Sequence, residues 1–134
     1  MLDIQEYIKF LKTNFPVKSA DLSTFLSSID FVPPSDYIDF MVLYNGAEGT
    51  VGKSSYLKIW AIEELIEYNR AYEVDLYAEG YFIFGTNLGG TAYAFNKKDS
   101  SIVQFEFIGM LMDDNPIYCG AGFVDFLSYL YNMD

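Results

Sequence analysis

The side chains that could do nucleophilic or metal chemistry are few in this chain. It contains one cysteine, Cys119, and no histidine. Without histidine, Ser-His-Asp catalysis, Cys-His catalysis and the usual zinc sites are excluded. Cys119 lies between an aromatic residue and a glycine, with no basic neighbour that would lower its pKa. We therefore predict that Cys119 is a small buried hydrophobic residue, and that the chain has no catalytic metal and no hydrolase activity.

Three further segments have residue types that some ligand sites use. Residues 85–90 are rich in glycine, but they lack the Gly-Lys-Ser/Thr ending of a P-loop and precede a strand pattern, which favours a tight connection. Residues 113–115 are acidic without the spaced ligands of a calcium loop, which favours a solvated turn. Glu63 and Glu67 have helical spacing on a predicted exposed face, as solvated charges do. We predict no cofactor.

The composition describes a globular chain with ample core material. Of its 134 residues, 51% are hydrophobic and 19% are aromatic, which suits one domain over residues 1–134. The apolar runs are too short to span a bilayer, and residues 1–6 do not have the pattern of a secretory signal. A single cysteine is typical of a reducing compartment. We therefore expect a cytoplasmic protein that does not associate with membranes.

The charge of the chain is strongly acidic and unevenly distributed. Its net charge is −11, and residues 61–134 contribute −9 of this through twelve acidic and three basic residues. This balance argues against direct contact with a nucleic-acid backbone, which requires a basic face. It is compatible with a basic protein partner, because opposite potentials speed encounter. On charge alone, a role in solubility is the more common explanation for such an acidic chain.

The aromatic residues include more tyrosines than a core requires. The chain has 12 Tyr, 12 Phe and one Trp, and exposed tyrosines with few lysines are typical of protein-binding surfaces. Three of the tyrosines, at 72, 77 and 81, alternate with acidic residues. This stretch is predicted to be a contact surface, although an ordinary solvated loop would have the same pattern. The candidate partner-binding residues are Tyr72, Glu73, Asp75, Tyr77, Glu79, Asp113 and Asp114.

The elements that would position these residues follow from hydrophobic spacing. Apolar residues at i, i+3, i+4 and i+7 predict helices, and alternation predicts strands. One segment has complete helix punctuation: Pro34 precedes an apolar face that ends in Asn45-Gly46. Glycine-rich residues 46–52 are expected to form a mobile loop. The predicted helices cover residues 4–11, 22–29, 34–44, 62–69 and 123–130, and the predicted strands cover residues 56–60, 81–84, 91–95, 102–107 and 117–119.

The order of these elements predicts the fold class. Successive strands have hairpin-sized gaps, and helices cluster towards both ends of the chain, so we expect α+β with a mainly antiparallel sheet of about four to six strands. Helices should cover one face of it. Residues 91–107 are predicted to form a hairpin that turns at residues 96–100. Alternation within it places Val103, Phe105 and Phe107 on a dry face, and Gln104 and Glu106 on a wet face.

Three segments of this chain combine in a specific order and spacing. They are Pro34-x-x-Tyr37-x-x-Phe40-Met41-x-x-Tyr44-Asn45-Gly46, Phe84-Gly85-Thr86-Asn87-x-Gly89-Gly90-x-x-Tyr93-x-Phe95-Asn96 and Phe123-x-x-Phe126-Leu127-x-x-Leu130. A strand and a Glu-rich helix start follow the first of them, at residues 57–65. Together these segments resemble the SUKH superfamily of Smi/Knr-type domains. One departure is Asn87, which stands where the family frequently has Asp, and this difference weakens an inherited metal or hydrogen-bonding role at that position.

The resemblance implies a binding module without a catalytic residue set. Many bacterial members look like immunity proteins that neutralise toxins, often nucleases, and eukaryotic members look like regulatory scaffolds. The first expectation is therefore a non-enzymatic immunity protein that binds a basic toxin domain. A regulatory scaffold that binds a cellular protein is the first alternative. A small-molecule-binding or enzymatic domain with a carboxylate-lined pocket is the second.

Overall fold

The computed structural model describes residues 3–110 and 116–133, which form a seven-stranded antiparallel sheet and six helices. The strands pair in chain order, each with the one before it. Among the described residues, no helix has the length and apolar character needed to cross a membrane. The helices are α1 (Ile4–Ile8), α2 (Ser19–Ser28), α3 (Ser35–Tyr44), α4 (Ile62–Ala71), α5 (Val74–Tyr77) and α6 (Phe123–Tyr131). The strands are β1 (Leu11–Thr13), β2 (Ala47–Val51), β3 (Ser55–Ile59), β4 (Tyr81–Thr86), β5 (Thr91–Asn96), β6 (Ile102–Glu106) and β7 (Ile117–Gly120).

Helix α3 forms and ends as its sequence predicts. Pro34 lies at its N-cap, so the helix begins at Ser35, one residue after the predicted start. Tyr37, Phe40 and Met41 are buried, and Tyr44 is partly buried. Asn45 closes the helix in the left-handed conformation (φ 47°), and its backbone N–H donates to the carbonyl of Met41 at 2.9 Å. Helix α3 therefore packs one apolar face against the sheet, and the chain turns away sharply at Asn45.

An aromatic cluster, here called the interior cluster, lies between the sheet and helices α3 and α6. Strand alternation and the register of β4 with β5 place Phe84 and Phe95 on one face, where their rings stack at 4.4 Å between centroids. Each ring of the cluster is fully buried, and edge-to-face contacts join the two strands to the two helices. The cluster consists of Tyr37, Phe84, Phe95, Phe123 and Phe126.

The predicted hairpin is present, but one of its polar residues is not on a wet face. Strands β5 and β6 pair antiparallel, with Ala94 opposite Val103 and Ala92 opposite Phe105. Val103 and Phe105 are buried, and Glu106 is exposed. Gln104, however, is half-buried, because its Oε1 accepts a hydrogen bond from the hydroxyl of Tyr129 in α6 at 3.2 Å. The wet face expected from alternation is therefore partly covered by the last helix.

Two strands at the start of the sheet were not predicted. The first helix ends at Ile8, so Leu11 belongs to β1 and not to a helix that continues to it. Residues 46–52, expected to be a mobile loop, contain β2, which pairs with β1 on one side and β3 on the other. A Cβ at Gly49 would lie 2.6 Å from the carbonyl oxygen of Phe10. Glycine at position 49 thus permits the close approach of β1. With these two strands, the sheet has seven strands, whereas the sequence predicted about four to six.

Candidate protein-binding surface

Helix α5 carries the predicted acidic and aromatic stretch on the surface of the molecule. Val74 and Ala78 are buried against the core, whereas the side chains between and beside them are exposed. Tyr72 and Tyr77 retain 44% and 50% of their accessible surface. Asp113 and Asp114 lie outside the described residues. We use the name α5 surface for the exposed side chains of Tyr72, Glu73, Asp75, Leu76, Tyr77 and Glu79.

Backbone hydrogen bonds hold this surface in a defined shape. Glu73 adopts a left-handed conformation (φ 54°), which turns the chain out of α4 and directly into α5. Its backbone N–H donates to the carbonyl of Arg70, and its own carbonyl accepts from the N–H groups of Leu76 and Tyr77, each at 3.0 Å. The segment is thus an ordered helical turn, whereas a plain solvated loop was the alternative expectation.

A lysine from β5–β6 lies beside the acidic side chains. The Lys97 Nζ is 2.9 Å from Asp30 Oδ1 and 3.7 Å from Asp75 Oδ1. The hydrogen bond from Lys97 lowers the pKa of Asp30. Neither Glu73 nor Glu79 forms an ion pair within residues 3–110 and 116–133. Lys97 therefore offsets part of the charge near Asp75 and leaves the ends of the α5 surface acidic.

An aromatic groove adjoins the α5 surface through Tyr72. The Tyr72 ring lies parallel to the Trp60 ring, with an interplanar angle of 4° and 6.3 Å between centroids, and lies 4.7 Å from the Phe107 ring. The edge of Tyr68 contacts Trp60 at 4.8 Å. The groove has a volume of about 470 Å³. It is lined by Trp60, Tyr68, Tyr72, Thr86, Leu88, Gly90 and Phe107.

A carboxylate lies beside this aromatic groove. Glu64 Oε2 accepts from the Tyr68 hydroxyl at 2.8 Å, and this hydrogen bond raises the pKa of Tyr68. Glu64 Oε1 accepts from the backbone N–H of Ala61 at 3.1 Å, so the same side chain also caps α4. Glu106, at the end of β6, is exposed but does not line the groove, and its Oε2 accepts from the Thr91 hydroxyl at 3.4 Å.

The comparison with family models places this architecture in a known group. The model of the SMI1 / KNR4 family (SUKH-1) matches residues 16–129, which is most of the chain. The chain belongs to this family. A comparison with curated proteins found no match to it. The three resembling segments of the SUKH-1 domain form α3 with its exit, the β4–β5 hairpin and α6.

The Asn45-Gly46 exit of the SUKH-1 domain connects two helices, which sequence reasoning did not predict. Asn45 Oδ1 accepts from the backbone N–H of Ile62, the first residue of α4, and its Nδ2 donates to Glu63 Oε1, both at 2.8 Å. Gly46 has φ +107°, and a Cβ there would lie 2.7 Å from the carbonyl oxygen of Ile59. The motif therefore positions the start of α4, and with it the aromatic groove, relative to α3.

The departure at Asn87 leaves the hydrogen bonding of the hairpin intact. Asn87 Oδ1 accepts from the backbone N–H groups of Gly89 and Thr91 at 2.8 and 3.0 Å. Asn and Asp share this oxygen, so either residue can form the turn. The turn presents Leu88, in a left-handed conformation (φ 59°) and 60% exposed, at the rim of the aromatic groove.

The cysteine and the glycine-rich segment that were considered first both have structural roles. Cys119 is buried as predicted, and burial raises the pKa of its thiol to about 12. Residues 85–90 form the tight hairpin connection that was expected. In the part of the chain that the structure describes, no group of three or more acidic or cysteine side chains is arranged to hold a metal ion.

Proposed function

We propose that this SUKH-1 domain is a non-enzymatic, cytoplasmic immunity protein that binds and neutralises a basic toxin domain through its α5 surface. The observation that carries the proposal is that α5 has one buried side and one exposed side. Val74 and Ala78 fix the helix to the core, so acidic and aromatic side chains project to solvent in a defined arrangement. Membership of the family supports an interaction role, since SUKH domains include immunity proteins that bind toxins.

The chemistry of the α5 surface favours a basic protein partner. Tyr77 and Leu76 supply contact area, and tyrosine is enriched where binding energy concentrates. Glu73 and Glu79 at the ends of the surface would accelerate encounter with a positively charged partner. The excess of acidic residues in this half of the chain adds a long-range field of the same sign. The same field disfavours direct contact with nucleic acid.

One observation near the α5 surface counts against a carboxylate that acts as a general acid there. A cleft of about 540 Å³ between α2, α4 and α5 contains Asp30, Asp75 and Lys97. The hydrogen bond from Lys97 lowers the pKa of Asp30. A general acid would require the opposite shift, because it must keep its proton at neutral pH.

Binding to the toxin domain encoded by a neighbouring gene tests the proposal. We expect a purified complex, protection of cells that produce the toxin, and an association rate that falls as salt increases. The triple variant Glu73→Lys, Asp75→Lys, Glu79→Lys should slow association at low salt by about tenfold or more, which corresponds to about 1.4 kcal/mol or more of lost steering energy.

A matched variant separates local from overall charge. Glu6→Lys, Asp21→Lys, Asp39→Lys changes the net charge equally at exposed positions away from α5. It should slow association much less than the α5 variant. Equal effects of the two variants, or binding that is indifferent to both salt and charge reversal, would show that the α5 surface is not the binding site.

A further inference from the structure

We propose that the aromatic groove beside α5 receives an arginine or lysine side chain of the protein partner. This inference rests on the proposed binding of a basic protein and specifies the anchor of that interaction. The groove lies between α4, the β4–β5 hairpin and the end of β6. It is continuous with the α5 surface because Tyr72 belongs to both.

The arrangement of the rings suits a cation with a long apolar stem. Trp60 forms the floor of the groove and is 6% exposed, whereas Tyr72 is 44% exposed and stands parallel to it. Tyr68 and Phe107 are half-buried, so part of each ring remains accessible. Cations are attracted to the faces of Trp, Tyr and Phe, and arginine also stacks its planar group on them. The stem methylenes would cover apolar ring surface.

The charge at the groove favours a positive ligand over a purely apolar one. Glu64 is held at the α4 side of the groove by the Tyr68 hydroxyl. No lysine or arginine is among the described residues that line the groove. An apolar side chain bound here would lie near this carboxylate without compensating its charge. A guanidinium or ammonium group would interact with both the rings and the Glu64 carboxylate.

A second tyrosine–glutamate pair provides an internal contrast. Tyr56 is 41% exposed, and its hydroxyl donates to Glu48 Oε2 at 2.6 Å, much as Tyr68 donates to Glu64. At that pair, however, Lys58 lies 3.3 Å from Glu48. The chain thus supplies its own cation beside Tyr56, whereas none of the described residues supplies one at the aromatic groove, which leaves the groove open to an external cation.

The test uses the fluorescence of Trp60, the only tryptophan in the chain. Titration with a hexa-arginine peptide should change the Trp60 emission at saturating peptide and low salt. A hexa-citrulline peptide has nearly the same shape without the charge, and should bind at least tenfold more weakly. Equal binding of the two peptides would overturn the proposal in favour of a groove that selects only shape.

Variants of the groove locate the binding and separate ring faces from apolar volume. Tyr72→Phe keeps the aromatic face and should retain the affinity for hexa-arginine, whereas Tyr72→Leu should weaken it about fivefold, the scale of one cation–π contact. Glu64→Gln keeps an oxygen for the Ala61 cap and should also weaken binding. The control Tyr56→Leu should have no effect. If Tyr72→Leu and Glu64→Gln both bind hexa-arginine like the parent protein, the proposal is wrong.

The peptide assay and the toxin assay can reject the two proposals independently of each other. Loss of peptide affinity in Tyr72→Leu, together with no detectable toxin complex, would retain the groove as a cation site and reject the proposed function. A toxin complex whose dissociation rate is unchanged by Tyr72→Leu and Glu64→Gln would retain the proposed function and reject the groove as its anchor. Faster dissociation in both variants, but not in Tyr56→Leu, supports the two together.

Discussion

The interior cluster and the aromatic groove are built from the same residue types but differ in what surrounds the rings. In the interior cluster, Phe84 contacts four other rings at centroid distances between 4.4 and 6.5 Å, and all five rings are fully buried. In the groove, Tyr72 contacts two rings and retains almost half of its accessible surface. The rings of the interior cluster are enclosed by other residues of the chain, whereas the Tyr72 ring of the groove keeps part of its surface exposed to solvent.

This difference indicates how aromatic residues divide between stability and binding. Rings enclosed on all sides stabilise the fold through burial and edge-to-face contacts. The carboxylate of Glu64 lies beside the rings of the groove, so their exposed faces are suited to a positively charged ligand. Substitutions in the two regions should therefore separate unfolding free energy from binding, and four predictions test that separation.

The largest expected effect is in the interior cluster. Phe84→Ala should lower the free energy of unfolding by about 3–5 kcal/mol, because it removes a fully buried ring and leaves a cavity among its neighbours. Urea denaturation followed by circular dichroism measures the change. Phe15→Ala, at a ring that is 90% exposed, is the control and should change little. A loss below about 1 kcal/mol for Phe84→Ala would mean that the cluster is loosely packed.

The second largest effect is expected at Asn45. This residue connects α3, which packs in the interior cluster, to α4, which lies beside the groove. Asn45→Ala should lower the free energy of unfolding by about 2 kcal/mol, since the N–H of Ile62 loses its acceptor in a buried position. The Trp60 emission of the folded variant should also shift, because the start of α4 is less firmly placed. An unchanged stability and spectrum would show that Gly46 and the sheet position α4 without Asn45.

Tyr37 in the interior cluster should respond with the opposite sign. Its buried hydroxyl has no hydrogen-bond partner among residues 3–110 and 116–133, so Tyr37→Phe should raise the free energy of unfolding by about 1 kcal/mol at neutral pH. Burial also raises the pKa of Tyr37 above its ordinary value of 10.0. Ionisation of this phenol therefore does not affect the stability of the fold below about pH 10, and it lowers that stability as the pH rises further, because the unfolded phenol ionises first. The advantage of the variant should widen above pH 10.

Denaturation of both proteins in urea at pH 7 and pH 10.5 measures this difference. Tyr93 and Cys119, whose pKa values burial raises to about 12, weaken both proteins alike at high pH and cancel in the comparison. A Tyr37→Phe variant that is less stable than its parent at pH 7 would mean that a buried water satisfies the hydroxyl.

The smallest effect on folding is expected at the α5 surface. Glu73→Lys, Asp75→Lys, Glu79→Lys should change the free energy of unfolding by less than about 1 kcal/mol, because these side chains are exposed and the Asp75–Lys97 pair is solvated. The same urea measurement at 0.15 M salt applies. A larger loss would assign these carboxylates to the stability of the fold and remove the distinction between the two regions.

The parts of the fold that were predicted from the sequence depend on local spacing. Helices α3 and α6 and the β5–β6 hairpin were predicted because their apolar periodicity and turn residues lie within one element or two adjacent ones. Strands β1 and β2 were missed because their identity depends on pairing. Leu11 lies opposite Gly49, and the glycine that permits this approach is, in the sequence alone, typical of a loop.

The same distinction between local and distant residues applies to the prediction of the candidate site. The exposure of Tyr72 and Tyr77 followed from the composition of one contiguous stretch. The aromatic groove did not, since Trp60, Tyr72 and Phe107 come from three separate parts of the chain and only the folded sheet brings them together. The double role of Asn45 was missed for the same reason: its partners Ile62 and Glu63 are 17 and 18 residues away.

The chain-order pairing of the sheet has a consequence for how the protein emerges from the ribosome. Each of β2 to β7 can pair with a strand that has already been synthesised, so the sheet can grow without waiting for distant segments. The interior cluster cannot close in this way, because two of its rings, Phe123 and Phe126, lie in α6. Until α6 leaves the exit tunnel, the apolar rings of β4 and β5 stay accessible to chaperones, and docking of this helix is the step that completes the domain.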